Sequence, residues 1–202
     1  MRTEIKQNAK LFALPCIYLV WQIIRQFIIN PIIFRLDDYN MINVYFYITV
    51  VLGRVLFGIA IGGLVISIKQ CSKNFKWVYI IPICLIDVYW VVNSLGYMES
   101  LISCIFEFSE VFVAIAIAIA MQNTSLGKEN TTKSFAIIAS VVAGVATLVY
   151  PFIYSLLLNL IFGGYSSYGL WNIIIGVANI AGAAIVPAIF SKTINNSDSK
   201  KA

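Results

Sequence analysis

Six long apolar runs, separated by short polar segments, constrain this chain more than any other feature. They cover residues 11–34, 42–68, 77–96, 101–121, 135–162 and 169–190. An α-helix of about 20 apolar residues crosses a hydrocarbon core about 30 Å thick, and each run reaches that length. Strands are excluded because these runs cannot close a barrel, and an open sheet edge is not tolerated in lipid. We therefore predict an all-α, polytopic membrane protein whose residues 1–202 form a single bundle of six transmembrane helices.

Composition and short motifs narrow the class of protein further. The chain is 60% apolar and 11% charged, whereas a typical soluble domain is about 25% charged. Its net charge of +5 is not gathered into a basic patch with interleaved aromatic residues, so nucleic acid is not an expected partner. Histidine is absent and the four cysteines lack zinc-like spacing, so we predict neither a metal site nor a cofactor. The run at 11–34 is too long for a signal peptide and lacks a cleavage site, so we expect it to remain as the first span.

The basic residues outside the runs predict an orientation in the membrane. The two tails and the segments after the second and fourth runs hold eleven of them: Arg2, Lys6, Lys10, Lys69, Lys73, Lys76, Lys128, Lys133, Lys192, Lys200 and Lys201. The opposite segments hold only Arg35. Cytoplasmic segments carry the excess of lysine and arginine. We therefore expect a multi-pass protein of the cell membrane with both termini in the cytoplasm.

Five ionisable residues interrupt the apolar runs, namely Arg25, Arg54, Asp87, Glu107 and Glu110. Each would cost about 2.5–3.5 kcal/mol if it faced lipid at the middle of the bilayer. They are therefore expected to face the interior, where they pair, become protonated or contact water. Because three are acidic and two are basic, at least one carboxylate lacks a permanent cationic partner. We predict that the five share a polar pocket in the central and outer part of the membrane.

The stretch CIFEFSEVFVAIAIAIAM, at residues 104–121, carries two of these carboxylates three positions apart, on one face of a helix. The remaining predicted pocket residues are aromatic or amide side chains: Trp90, Tyr168, Trp171, Asn172 and Asn179. A spare carboxylate among aromatic rings suits an amine-bearing or zwitterionic small molecule. We therefore predict a binding or transport subunit with an outward-facing pocket. No phosphate-binding glycine motif is present, so partner subunits or an ion gradient would supply the energy.

Small residues predict where the helices pack. Gly58 and Gly62 form a GxxxG pattern, and Ala114 with Ala118 and Ala116 with Ala120 form small-xxx-small pairs. Such residues allow membrane helices to approach closely.

Two segments carry a resemblance to a known family. AKLFA places Ala9 and Ala13 in an AxxxA pattern, and WNIIIGVANIAGAA, at residues 171–184, looks like a sixth transmembrane helix. With six spans in about 200 residues, the chain resembles the substrate-binding S component of energy-coupling-factor vitamin transporters. The resemblance implies that Ala9 and Ala13 contact a transmembrane coupling subunit, which works with ATPases. It also implies a substrate in the outer half of the membrane, in contact with Asn179.

Other functions stay open. We expect no enzyme, because the sequence has neither an HExxH motif nor a nucleophile paired with a histidine. The chain would instead be an accessory, immunity or assembly protein of the membrane if its buried charges were purely structural. A proton- or ion-conducting protein is a third possibility, since intramembrane acids can relay protons.

Overall fold

The computed structural model describes residues 8–33, 35, 39–93, 95, 98–124, 134–135, 137–139, 141–142, 144–146, 149, 153, 156, 160 and 170–190. Its helices are α1 (Ala9–Ile24), a π-helix (Arg25–Ile29), α2 (Asn30–Ile33), α3 (Tyr39–Gln70), α4 (Lys73–Asn93), α5 (Met98–Asn123) and α6 (Leu170–Ile189). The described residues between 134 and 160 are also helical. Every element in this part of the chain is a helix, which confirms the all-α part of the predicted fold class.

Three of the helical segments are long and apolar enough to cross a membrane. They are Ala9–Ile33, Met41–Gln70 and Lys73–Asn93, with 25, 30 and 21 residues and mean hydropathies of 1.6, 2.2 and 1.7. They coincide with the first three predicted spans. Shorter apolar helical stretches occur at Val111–Asn123 and Ile173–Val186. The described residues thus agree with a membrane protein, while the count of six spans stays a prediction.

Helix α3 lies at the centre of the bundle. All nine residues from 60 to 68 are buried, and the helix packs against α1, α4, α5 and α6. Its sequence there, AIGGLVISI, is apolar on every side of the helix. A helix of this kind is stable when other helices surround it. Every other long helix that the structure describes therefore shares α3 as a packing surface.

The contact between α3 and α6 is made by backbone atoms. A methyl group on Gly58 would overlap the carbonyl oxygen of Asn179, and one on Gly62 would lie 2.7 Å from the carbonyl oxygen of Ala183. Helices in lipid gain little from hydrophobic burial against one another, so close van der Waals packing drives their association. The predicted role of the GxxxG pattern in helix packing is confirmed.

Glycines on the other helices complete this packing. A methyl group on Gly182 of α6 would overlap the carbonyl oxygen of Val55 in α3. Gly144 allows the helical residues after 134 to reach α6, because a methyl group there would lie 2.7 Å from Ile180 Cγ1. Helix α6 therefore lies between α3 and this later segment.

One hydrogen bond joins α4 to the central helix. The hydroxyl of Tyr79, fully buried, donates to the carbonyl oxygen of Ala60 at 2.9 Å. Gly63 provides the space for this hydroxyl, since a methyl group on Gly63 would overlap it. The bond lies near the end of the bundle where α4 begins.

The remaining surface is largely apolar. Exposed isoleucine, valine and phenylalanine side chains line the outside of the first span and of α6: Ile17, Val20, Ile23, Phe27, Ile28, Ile173, Val177, Ile185 and Ile189. Soluble monomers rarely expose extended apolar patches of this kind. They match the lipid-facing sides expected of membrane helices.

Candidate functional site

Two aromatic pairs fix how the first span lies against α4. The ring centroids of Phe12 and Phe75 are 6.2 Å apart, and those of Phe27 and Tyr89 are 5.5 Å apart. The partners are 63 positions apart in the first pair and 62 in the second. The two helices therefore run in the same direction with an offset of 63 positions at one pair and 62 at the other.

The same offset relates two of the predicted pocket residues. Asp87 follows Arg25 by 62 positions, so the two lie at the same height in the bundle, on adjacent helices. Both side chains are partly buried. That the two side chains share a pocket stays a prediction.

The first span runs antiparallel to α3. The rings of Tyr18 and Phe57 lie 5.6 Å apart, and three residues further along the first span Trp21 meets Gly53. Arg54, next to Gly53, therefore lies at about the height of Trp21. That level is four residues, or about 6 Å, from the level of Arg25.

Three ionisable residues from three helices thus lie within about one helical turn of each other in height. Arg25, Arg54 and Asp87 are all partly buried, and none is without an interaction partner. Asn179 of α6 is 1% exposed and packs against Gly58 of α3. That these four residues line one pocket stays a prediction.

For the two glutamates of α5, the structure gives only their positions along the helix. Their side chains lie outside what the structure describes, but α5 packs on α3 and α4 through Val111 and Ala114, which are buried. Glu107 precedes Val111 by four positions, and Glu110 precedes Ala114 by four. Residues four apart share a face of an α-helix. From this spacing we expect positions 107 and 110 on the same side of α5 as Val111 and Ala114.

For the other predicted pocket residues, the structure gives at most the helix that carries them. Trp90 is in α4, and Trp171 and Asn172 are in α6, with side chains outside the described part of the structure. Tyr168 lies outside the described residues altogether. Ala9, predicted to contact a partner subunit, is exposed at the start of α1, and Ala13 is partly buried.

A π-helix begins at Arg25, which the sequence analysis did not predict. The backbone N–H of Asn30 donates to the carbonyl of Arg25, five residues earlier. The signal in the sequence is Pro31, which has no N–H and whose ring would clash with the carbonyl of Phe27 in an ordinary α-helix. The wider turn relieves that clash. Such turns are frequent at functional sites.

Polar groups of the first span lie next to this wide turn. The side-chain amide of Asn30 donates to Gln26 Oε1 at 3.1 Å. One turn before Arg25, the indole nitrogen of Trp21 is buried and has no hydrogen-bond acceptor within the described part of the chain. Sequence reasoning missed Trp21 because only the structure reveals that its nitrogen faces Gly53 and not the membrane surface.

The comparisons with known proteins give no relative. No family model, no curated protein and no solved structure matches this chain. Among the described residues, no group of three or more cysteine, aspartate or glutamate side chains is placed to hold a metal ion. The resemblance to S components therefore stays a prediction that stands on the sequence alone.

Proposed function

We propose that this chain is the small-molecule-binding subunit of a transport system in the cell membrane. It has six spans with both termini in the cytoplasm, and its pocket opens outward to an amine-bearing or zwitterionic ligand. The observation that supports this function is the common height of Arg25 and Asp87, with Arg54 one turn away on a third helix. Ionisable residues inside a membrane mark ligand or ion sites by default, because their burial is costly.

In this proposal, the carboxylates recognise the ammonium group of the ligand. Asp87 is partly buried at the level of Arg25, and we expect positions 107 and 110 on the bundle-facing side of α5. A ligand ammonium group gains charge-assisted hydrogen bonds from such carboxylates. Trp90, Trp171 and Tyr168 supply aromatic faces for cation–π contact.

Energy for transport comes from partner subunits. The sequence holds no phosphate-binding loop of its own. The exposed Ala9 and the half-buried Ala13 offer a smooth helix surface at the start of α1, where a transmembrane coupling subunit and its ATPases would dock.

A thermal-stability assay tests ligand binding directly. Purified protein is melted with and without a panel of polyamines and vitamins. We expect at least one amine-bearing compound to raise the melting temperature of the native protein and of the matched control Glu99→Gln, which lies at the start of α5. The same compound should have no effect on a Glu107→Gln/Glu110→Gln double variant, because the charge that attracts the ammonium group is gone. An undiminished response in the double variant would contradict the proposal.

A second experiment tests the coupling subunit. We expect the native protein to co-purify from its own membranes with an ATPase pair. An Ala9→Leu/Ala13→Leu variant should lose these partners and keep its thermal response to ligand, because bulky side chains block docking without reaching the pocket. If no ATPase co-purifies with the native protein, coupled uptake is excluded.

An accessory or assembly protein is the alternative function. It is favoured by the equal height of Arg25 and Asp87, since opposite charges on adjacent helices can act as a structural pair. In that case Asp87→Asn would lower the stability of the protein and change no ligand response.

A further inference from the structure

One side of α4 is an exposed stripe that begins with a lysine and continues with apolar side chains. Phe75 and Tyr79 are fully buried, so their side of the helix faces the bundle. The exposed residues recur every three or four positions on the other side, where neighbours at this spacing share a face. In order along the helix they are Lys73, Trp77, Ile81, Leu85 and Val88. This lipid-facing stripe therefore has a charged end and an apolar length.

The apolar length of the stripe matches the depth of one leaflet. Val88 follows Trp77 by eleven positions, which correspond to about 16 Å along the helix axis. One leaflet supplies about half of a hydrocarbon core that is about 30 Å thick. Tryptophan is enriched at the boundary between hydrocarbon and headgroups, and Trp77 is 60% exposed. Lys73 lies about 6 Å further out than Trp77, at the depth of the lipid headgroups.

Two ammonium groups lie at this headgroup end. Lys73 is exposed and Lys76, three positions later, is partly buried, so both side chains border the indole of Trp77. The first turn of α4 contains no acidic residue that would neutralise them. Lysine binds phosphate as a compact point charge, and an indole N–H is a hydrogen-bond donor. The charged end of the stripe is therefore complementary to a phosphodiester.

We propose that Lys73, Lys76 and Trp77 bind the headgroup of an anionic phospholipid whose acyl chain lies along the lipid-facing stripe. Charge complementarity selects the headgroup, and the apolar side chains beyond the indole contact the tail. With the predicted orientation, the site lies in the cytoplasmic leaflet, whose surface anionic lipids make negative. This lipid site lies on the outside of the bundle, and it does not depend on the proposed transport function.

Lys10 of α1 provides a matched control for diffuse attraction to a charged membrane surface. The contact between Phe12 and Phe75, 63 positions apart, places Lys10 at the level of Lys73. Lys10 is also exposed, but no second lysine or tryptophan follows it within the next two helical turns. A general attraction to anionic lipid would act on both lysines alike, whereas a defined headgroup site needs only Lys73.

Native mass spectrometry of the full chain, released from lipid nanodiscs, tests the site by counting the lipids that stay bound. The nanodiscs contain dioleoylphosphatidylglycerol and dioleoylphosphatidylcholine in equal amounts, so the acyl chains are identical and only the headgroup charge differs. We expect the native protein to retain phosphatidylglycerol preferentially. Lys73→Gln and Lys76→Gln should each lower the affinity for it about fivefold, the effect of one lysine at an anionic surface. Lys10→Gln should leave that affinity unchanged.

Quenching by brominated lipids locates the bound molecule. Bilayers of dioleoylphosphatidylcholine receive a small fraction of phosphatidylglycerol or phosphatidylcholine with bromine at mid-chain, and the fluorescence difference between the native protein and Trp77→Phe isolates the signal of Trp77. We expect the brominated phosphatidylglycerol to quench this signal at a lower mole fraction than the brominated phosphatidylcholine. The difference should disappear in the corresponding pair of variants that carry Lys73→Gln, whose melting temperature confirms that they are folded.

Three results would overturn the inference. The first is equal retention of the two lipids by the native protein. The second is an equal loss of affinity in Lys73→Gln and Lys10→Gln, which would indicate diffuse attraction without a defined site. The third is displacement of phosphatidylglycerol by sodium phosphate, with sodium chloride at equal ionic strength as the control, since the occupant would then be soluble phosphate and not a lipid.

Discussion

At the scale of single residues, the bundle depends on a few polar groups with defined partners. Tyr79 is the clearest case, because its ring is fully buried and its hydroxyl reaches the carbonyl oxygen of Ala60. The apolar run around it predicted a membrane-spanning helix, but the sequence carries no signal for the partner of the hydroxyl. That partner depends on the notch at Gly63, which belongs to another helix.

Removing this hydroxyl should weaken the bundle measurably. We expect Tyr79→Phe to lower the free energy of unfolding by about 1 kcal/mol, the usual value of one such hydrogen bond. Unfolding in sodium dodecyl sulfate, followed by circular dichroism, measures the difference. Tyr89→Phe is the control, since Tyr89 is 38% exposed, and it should change stability less. Equal losses in the two variants would contradict this role of Tyr79.

At the scale of helices, small residues set how closely α3 and α6 pack, and Pro31 accounts for the π-helix in the first span. The GxxxG pattern could be predicted from the sequence because close approach has a fixed spacing along a helix. The π-helix at Arg25–Ile29 could not, since Pro31 is equally compatible with a kink or a helix end. Which of these outcomes occurs depends on the neighbouring helices.

The α3–α6 contact should be the least tolerant of added volume. We expect Gly58→Leu to lower the free energy of unfolding by about 3 kcal/mol or more, because its side chain would meet the backbone of α6 at Asn179. Ala181→Leu introduces the same leucine side chain on the exposed face of α6 and should have little effect. The same denaturation experiment compares the two. A mild effect of Gly58→Leu would indicate that the helices separate easily.

Replacing the proline should remove the wide turn. With Pro31→Ala, an N–H returns and the clash with Phe27 disappears, so we expect the first span to become a regular α-helix. This change rotates the residues on one side of the turn relative to those on the other, and should lower the affinity of the ligand for the proposed pocket at Arg25 and Asp87. Circular dichroism and ligand titration follow the two effects. Unchanged ligand affinity would show that the π-helix does not shape the binding pocket.

At the scale of the whole molecule, the described residues agree with the helical fold and the membrane class that the sequence predicted. That charges from several helices meet in one pocket stays a prediction. The sequence could not predict which charges share a level, because that depends on the offset between helices. The offset between the first span and α4 is set by the contact of Phe27 with Tyr89 and by that of Phe12 with Phe75. Aromatic residues are frequent throughout the chain, so no pattern identifies these pairs in advance.

The predicted orientation can be tested by cysteine labelling in intact cells. In a background without the four native cysteines, Ser100→Cys should react with a membrane-impermeant maleimide, because it precedes the fourth predicted span on the outer side. Ser72→Cys, between α3 and α4, should react only after the cells are made permeable. The reverse pattern would place both termini outside.

The Tyr79–Ala60 hydrogen bond also holds α4 in register with α3. A shift of α4 along α3 would leave that hydroxyl unpaired in an apolar interior, where an unpaired polar group is costly. The first span packs against both of these helices. The levels of Arg25, Arg54 and Asp87 relative to one another therefore follow from the register that this bond helps to hold.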